Sequence, residues 1–270
     1  MASSTTITSD EQWGKLIQSK TYWNKRYESD YKSGEKIFEW YLNFDVLETF
    51  VTSIISSKDD NILELGCGNS TLSNDLSKVG YTSITSIDYS DVAIEQQKKN
   101  YPTNNVNYLT VDATNMSKKF NNNKFDCIMD KATLDSMMSG DEKIAIKMIK
   151  EICDILKNKG TYIIISHVDP ETEDGHHLLY NIIIKNLLWT QCRYTIDIHS
   201  SSEMNDDDDD TELPHIYQIK QLDRPSTRRQ KKRRKLNSMK NEHEDFVQIT
   251  ETIQLPFSIA NELILRQHFH

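Results

Sequence analysis

The 270-residue chain is poor in the residues that punctuate or crosslink a fold, with eight glycines, five prolines and four cysteines. Cys67, Cys127, Cys153 and Cys192 lie far apart with no C-x-x-C among them. That spacing speaks against a disulfide framework or a thiolate metal site and for reduced thiols. No apolar run approaches the roughly 18–20 residues of a membrane span. The opening residues, MASSTTITSDEQW, have neither the basic start nor the apolar stretch of a signal peptide. A cytoplasmic protein with no resident metal and no membrane partner is expected. The length suits one α/β domain of about 200 residues with added segments, and no internal repeat is evident.

Two of the scarce glycines stand together in NILELGCGNS, residues 61–70. An apolar run ends in an acid, and Gly66-Cys67-Gly68 breaks it before a helical pattern begins, so backbone N–H groups can approach a ligand closely. A dinucleotide site would need G-x-G-x-x-G, and Thr71 stands where the third glycine belongs. Glu64 is also ill placed beside a pyrophosphate. The expected ligand is a nucleoside without phosphates. Cys67, inside this turn, reads as a small side chain that fits it; a nucleophile would need an activating base nearby.

Charge is unevenly spread. Residues 224–240, RPSTRRQKKRRKLNSMK, carry nine Lys or Arg and no acid, so the net charge of −9 leaves −18 on the remainder. So acidic a body disfavours nucleic acid and suits a basic protein substrate. The stretches 200–212 (SSSEMNDDDDDTE) and 223–245 lack the apolar content to pack and are expected to be unstructured. The basic run 228–235 also resembles a nuclear address, although loose pairing with the nearby aspartates is the plainer reading. A monomer is expected.

Between these features, residues 61–222 alternate in the manner of a doubly wound parallel sheet. Strands are expected at Ile62–Leu65, Ser83–Asp88, Asn107–Val111, Phe125–Asp130 and Thr161–Ser166, and helices at Thr71–Val79, Asp91–Asn100, Asp141–Lys157 and His176–Trp189. YIIIS is a nearly continuous β-branched run, as a strand covered on both faces requires. YTIDIHS and PHIYQIKQL alternate with period two, like an antiparallel pair at the sheet edge.

Open parallel sheets bind ligands at their carboxyl ends. Glu64, two residues before the first glycine, is positioned to meet a ligand ammonium. Asp88 ends the second strand 22 residues after Gly66, the spacing of a carboxylate that accepts both ribose hydroxyls. Tyr89 offers a ring to an adenine face. Asp112 can accept an exocyclic amine, with the small Ala113 leaving room for the base. Ribose, adenine and an amino-acid ammonium together describe S-adenosylmethionine.

The segments YWNKRY (22–27), FEWY (38–41), LELGCGNS (63–70), SIDYS (86–90) and DKATLD (130–135) resemble the class I methyltransferases that modify lysines of translation elongation factor 1-alpha. The likeness is to the branch of elongation factor 1-alpha lysine methyltransferase 4 and the related methyltransferase-like family. It covers roughly residues 20–200, and HEDFVQITETIQL (243–255) is similar to that branch's C-terminal end. The resemblance implies a Rossmann-like fold with a seven-stranded, mostly parallel sheet, helices on both faces and an antiparallel strand at the edge. Residues 1–60 would form a helical lid over the cofactor, 61–222 the catalytic domain and 246–270 an extension. It implies cofactor contacts at Trp23, Tyr27, Trp40, Gly66, Asp88, Tyr89, Asp112, Ala113 and Lys131, with Arg26 a further candidate for the cofactor carboxylate. Aromatic faces stabilise a sulfonium by about 0.5–2 kcal/mol. The implied partner is elongation factor 1-alpha; a methyltransferase of the same fold with another acceptor, or an inactive scaffold, are the alternatives. Asp130 and Asp135 flank the fourth-strand exit as candidates to guide a lysine, to cap the next turn or to bind the cofactor, and no catalytic base is assigned. Where the family motif carries glycine, this chain has Ala132.

Overall fold

A computed structural model describes residues 9–34, 37–121, 124–187, 192–200, 214–223 and 247–254. Three helices come first: α1 (Ser9–Ile17), α2 (Lys20–Ser33) and α3 (Phe44–Ile54). Ser19 and Asn43 cap α2 and α3, each side chain accepting from a backbone N–H of the first turn. Gly34 ends α2 in the left-handed conformation.

Strands and helices then alternate: β1 (Asn61–Leu65), α4 (Leu72–Lys78), β2 (Ser83–Asp88), α5 (Asp91–Asn100), β3 (Val106–Thr110), α6 (Met116–Phe120), β4 (Phe125–Lys131), α7 (Thr133–Met138), α8 (Glu142–Ile155) and β5 (Leu156–Ser166). The one long helix expected at His176–Trp189 is three consecutive pieces, α9 (Glu173–His176), a π-helical stretch (His177–Ile184) and α10 (Lys185–Leu187). Strands β6 (Arg193–Ser200), β7 (His215–Asp223) and β8 (Val247–Gln254) follow.

Among the described residues eight strands form one sheet, in the order β3-β2-β1-β4-β5-β7-β6-β8. The pairs from β3 to β5 are parallel, as expected. Strand β7 is inserted between β5 and β6 and runs antiparallel to both. An eighth strand joins the expected seven where β8 pairs parallel with β6. The two low-complexity stretches fall outside the described residues except for Ser200 and Asp223, which end β6 and β7.

The core lies in two layers, one on each face of the sheet. Cys127 and Met129 of β4 and Ile163 and Ile165 of β5 pack with α3 and α4 on one side. Ile128, Tyr162 and Ile164 pack with α8 and the π-helical stretch on the other. That alternation along fully buried strands is why YIIIS carries no polar face. Helix α8 turns Ala145, Met148, Ile149 and Ile152 inward, a 3–4 spacing that fixes its orientation on the sheet. No described helix is long and apolar enough to cross a membrane.

Candidate active site

The carboxyl ends of β1, β2 and β4 open onto a cavity of about 550 Å³, covered by side chains from α1, α2 and the 37–41 segment. That is the size of a small-molecule site. The structure brings all nine residues singled out from the sequence to its wall: Trp23, Tyr27, Trp40, Gly66, Asp88, Tyr89, Asp112, Ala113 and Lys131.

The floor is the glycine turn, with Gly66 at φ 57° and Gly68 at φ 48°. The positive φ suits glycine, and so does the space. A Cβ on Gly66 would lie 2.2 Å from Thr133 Oγ1, and one on Gly68 would lie 2.6 Å from Tyr27 Oη. The turn is therefore pressed from one side by the start of α7 and from the other by α2. The Gln97 amide donates to the carbonyls of Gly68 (3.0 Å) and Ser70 (2.8 Å), fixing the turn from α5.

Asp88 is buried at the end of β2. Its Oδ2 accepts from Gly68 N–H (2.9 Å) and its Oδ1 from Ser90 N–H (2.7 Å). Burial lifts its carboxyl to about 6, and the backbone donors oppose the shift. Glu64, at the end of β1, is likewise lifted to about 7 by burial, against the hydroxyls of Ser73 and Ser86 that donate to it. Cys67 lies between these acids; burial first and then the two carboxylates hold its thiol protonated. A thiol held protonated is poorly suited to act as a nucleophile.

On the covering side Trp23 and Tyr27 stack at 5.7 Å with their planes 27° apart. The Trp23 indole donates to Ile17 O at 2.6 Å, which ties α2 to α1. The Arg26 guanidinium lies 5.4, 5.1 and 5.3 Å from the rings of Trp23, Phe38 and Trp40, and 3.7 Å from Asp30. Arg26 thus pins the 37–41 segment to α2 by cation–π contact. The Lys131 ammonium donates to Glu39 and to Leu42 O (3.0 Å).

Sequence reasoning missed Glu39, Tyr41 and His167. Glu39 accepts from Ser70 Oγ (2.8 Å), from Thr71 N–H and from Lys131, so one carboxylate joins the covering segment, the glycine turn and β4. Tyr41 donates to Asp135 Oδ2 at 2.9 Å and lies 2.9 Å from His167 Nδ1. Ser166 Oγ donates to Asp135 Oδ1 at 2.6 Å. Asp130 is not on the cavity wall. It caps α7, accepting from the N–H groups of Thr133 (2.9 Å) and Leu134 (3.1 Å), and from Tyr162. The rule that polar residues past a strand's carboxyl end line the ligand site would have found His167, directly after β5. Among the described residues no His, Cys, Asp and Glu group is arranged to hold a metal ion.

Ala132 adopts φ 68°, ψ −3° as the residue preceding α7. An L-residue costs about 1–2 kcal/mol in this conformation. Ala132→Gly should therefore raise stability by about 1 kcal/mol and the Tm by about 2–4 °C. Calorimetry showing a lower Tm would mean that the Cβ packs favourably enough to outweigh the strain.

A family model described as a methyltransferase domain matches residues 56–223. A protein of Drosophila melanogaster described as an eEF1A lysine and N-terminal methyltransferase homolog is 32% identical over 201 residues, 72% of this chain and 28% of that protein. The Homo sapiens eEF1A lysine and N-terminal methyltransferase is 34% identical over 154 residues, 55% of this chain and 21% of that protein. The methyltransferase srdJ of Neurospora crassa is 30% identical over 161 residues, 56% of this chain and 66% of that protein. The chain thus spans only 28% and 21% of the length of the first two. In fold it is similar to the crystal structure of the [4+2]-cyclase SpnF, with a TM-score of 0.55 and 14% identity over 81% of this chain and 98% of that one.

Methyltransferases of this kind take S-adenosylmethionine, and the cavity suits it. Glu64 and Asp88 line the cavity with buried carboxyl groups that suit a ligand carrying a sulfonium and an ammonium, the glycine turn leaves no room for a Cβ, and aromatic rings line the same cavity. With residues 56–223 matched and the strand ends arranged in this way, the chain belongs to the methyltransferase domain family and uses S-adenosylmethionine as its cofactor.

Proposed function

We propose that this chain is a protein-lysine methyltransferase acting on elongation factor 1-alpha in the cytoplasm. The observation that carries the reading is the similarity over 201 residues to a relative described as an eEF1A methyltransferase homolog. The acidic remainder of the chain supports it, because it suits a lysine-rich partner. In this reading Asp88 accepts the ribose hydroxyls, Tyr89 packs on the adenine and Asp112 accepts its amine beside Ala113. Gly66 and Lys131 border the methionine portion, with Trp23, Tyr27 and Trp40 over the sulfonium. The cofactor supplies an electrophilic methyl group; the chain positions the amine in line with it and excludes water.

Purified protein with tritiated S-adenosylmethionine should label one lysine of elongation factor 1-alpha. Arginine at that lysine should abolish the label, since a guanidinium stays protonated and offers no lone pair. Label confined to small metabolites or to another protein would transfer the activity to a different acceptor.

Cofactor affinity should depend on pH. Protonating Asp88, at about 6, and Glu64, at about 7, removes the negative charge that a cationic ligand meets. The Kd at pH 5.5 should thus exceed that at pH 8 by about tenfold or more, since one pKa unit corresponds to about 1.4 kcal/mol. The unliganded fold runs the other way. Both groups hold protons in the fold above their ordinary values of 3.8 and 4.5. Their stabilisation is complete below about pH 4 and is lost as pH rises through about 6–7. A Kd that stays flat across this range by isothermal titration would remove both acids from the cofactor site.

A further inference from the structure

On the wall of the cavity three chain segments meet around one carboxylate. Asp135 of α7, whose side chain is only 5% exposed, accepts from Tyr41 Oη at 2.9 Å and from Ser166 Oγ at 2.6 Å, and His167 Nδ1 lies 3.3 Å from its Oδ2. Tyr41 Oη is also 2.9 Å from His167 Nδ1. The Tyr41 proton goes to Asp135, so this network assigns the ring hydrogen to Nδ1 and makes Nε2 the ring's proton acceptor. Asp135, Tyr41 and His167 line the cavity, and the His167 side chain is 52% exposed.

The backbone gives a second sign. Tyr41 sits at φ 62°, a conformation that costs a non-glycine residue about 1–2 kcal/mol. Such strain persists where surrounding contacts over-determine it, and it gathers at functional sites. The polar contacts of Tyr41 are those to Asp135 and His167, and its ring also packs on Trp40 and on the core under α3.

We propose that His167 is the general base that receives the proton of the substrate lysine, and that Asp135 and Tyr41 position its ring. This deepens the lysine-methyltransferase reading and rests on it. The lysine ammonium gives one proton to Nε2, leaving a neutral amine and an imidazolium. The amine lone pair then forms the C–N bond to the methyl carbon, the pair of the broken methyl–sulfur bond stays on sulfur, and the imidazolium releases its proton to water. Atoms and charge balance with no further reactant. The acid that prepares the ring is Asp135. Asp130 stands near it on β4, Tyr217 of β7 lies close enough to feel both Asp135 and Asp169, which follows β5, and His215 is the β7 partner of Ser166.

The test uses the full chain with purified elongation factor 1-alpha, in single turnover across pH 6–9, together with NMR titration of the histidine ring protons. His167→Gln should lower the rate at neutral pH by about 10²–10⁴-fold and remove an inflection in the range where imidazole titrates, about 6–8. Its cofactor Kd and its cofactor-induced rise in Tm should stay within about twofold of wild type, which shows that the variant is folded. Asp135→Asn and Tyr41→Phe should shift the His167 titration midpoint in the protein alone, and Asp135→Asn should lower it. A His167→Gln enzyme that keeps the wild-type rate and pH profile while wild type methylates lysine overturns this inference alone. A His167 midpoint unmoved by Asp135→Asn also overturns it. Wild-type enzyme that labels no lysine overturns both this inference and the reading on which it rests.

Discussion

Asp88→Ala is expected to weaken S-adenosylmethionine binding by about a hundredfold or more and to remove most of the rise in Tm that the cofactor produces. Two hydrogen bonds from ribose hydroxyls to a buried carboxylate are worth roughly 1.5–3 kcal/mol each. The loss goes beyond the ligand. Asp88 also accepts from the N–H groups of Gly68 and Ser90, so its removal leaves two donors without partners and loosens the turn that the ligand must meet. Ligand-induced stabilisation follows mass action, and a hundredfold weaker Kd lowers it by about 2.7 kcal/mol at saturating cofactor. Calorimetric titration and thermal melts report the two effects separately. An unchanged Kd would mean that the end of β2 does not carry the ribose.

The second large effect is expected in stability. Glu39→Gln strips the charge that faces Lys131, a side chain only 4% exposed. Breaking one partner of a buried pair costs about 3–5 kcal/mol, because the remaining charge is stranded. The same carboxylate accepts from Ser70 and Thr71, so the covering segment should also detach from the glycine turn. The Tm should fall by roughly 10 °C or more. Adding Lys131→Met to Glu39→Gln should recover much of the loss, since an apolar replacement leaves no unpaired charge. If the single variant melts within about 2 °C of wild type, the ammonium has found other acceptors and the pair does not hold the segment down.

The alternation of strands and helices was legible because each signal is local. Ser83–Asp88 and Asp91–Asn100 occur where the pattern put them, β1 and β4 differ by a residue at one end, and β3 is shifted by one residue. The walls of the cavity were legible too, because the carboxyl ends of parallel strands must share one edge of the sheet. What was not legible depends on meetings across the chain. Glu39 joins residues 31 to 92 positions away, and nothing local to it signals that role. Tyr41 stands inside FEWY, where neighbouring Trp40 drew the attention that an aromatic cover deserves. Asp130 had two readings in the sequence, a guide for the substrate and a cap on the next turn, and the structure shows the cap. The alternation of Val247, Ile249 and Ile253 carried the signature of β8, although the polar stretch before it hid that strand.

The place of β7 between β5 and β6 has a consequence for synthesis on the ribosome. The outer edge of β5, where Ile163, Ile164 and Ile165 are buried, is covered by a strand that ends at Asp223, about 57 residues after Ser166. At elongation rates of about 5–20 residues per second, that edge stays open to pairing for roughly 3–11 s after Ser166 is made. An unpaired edge on so apolar a strand is a template for another chain. Every residue between Ser200 and His215 lengthens the interval, so trimming that connection should speed shielding of the nascent sheet.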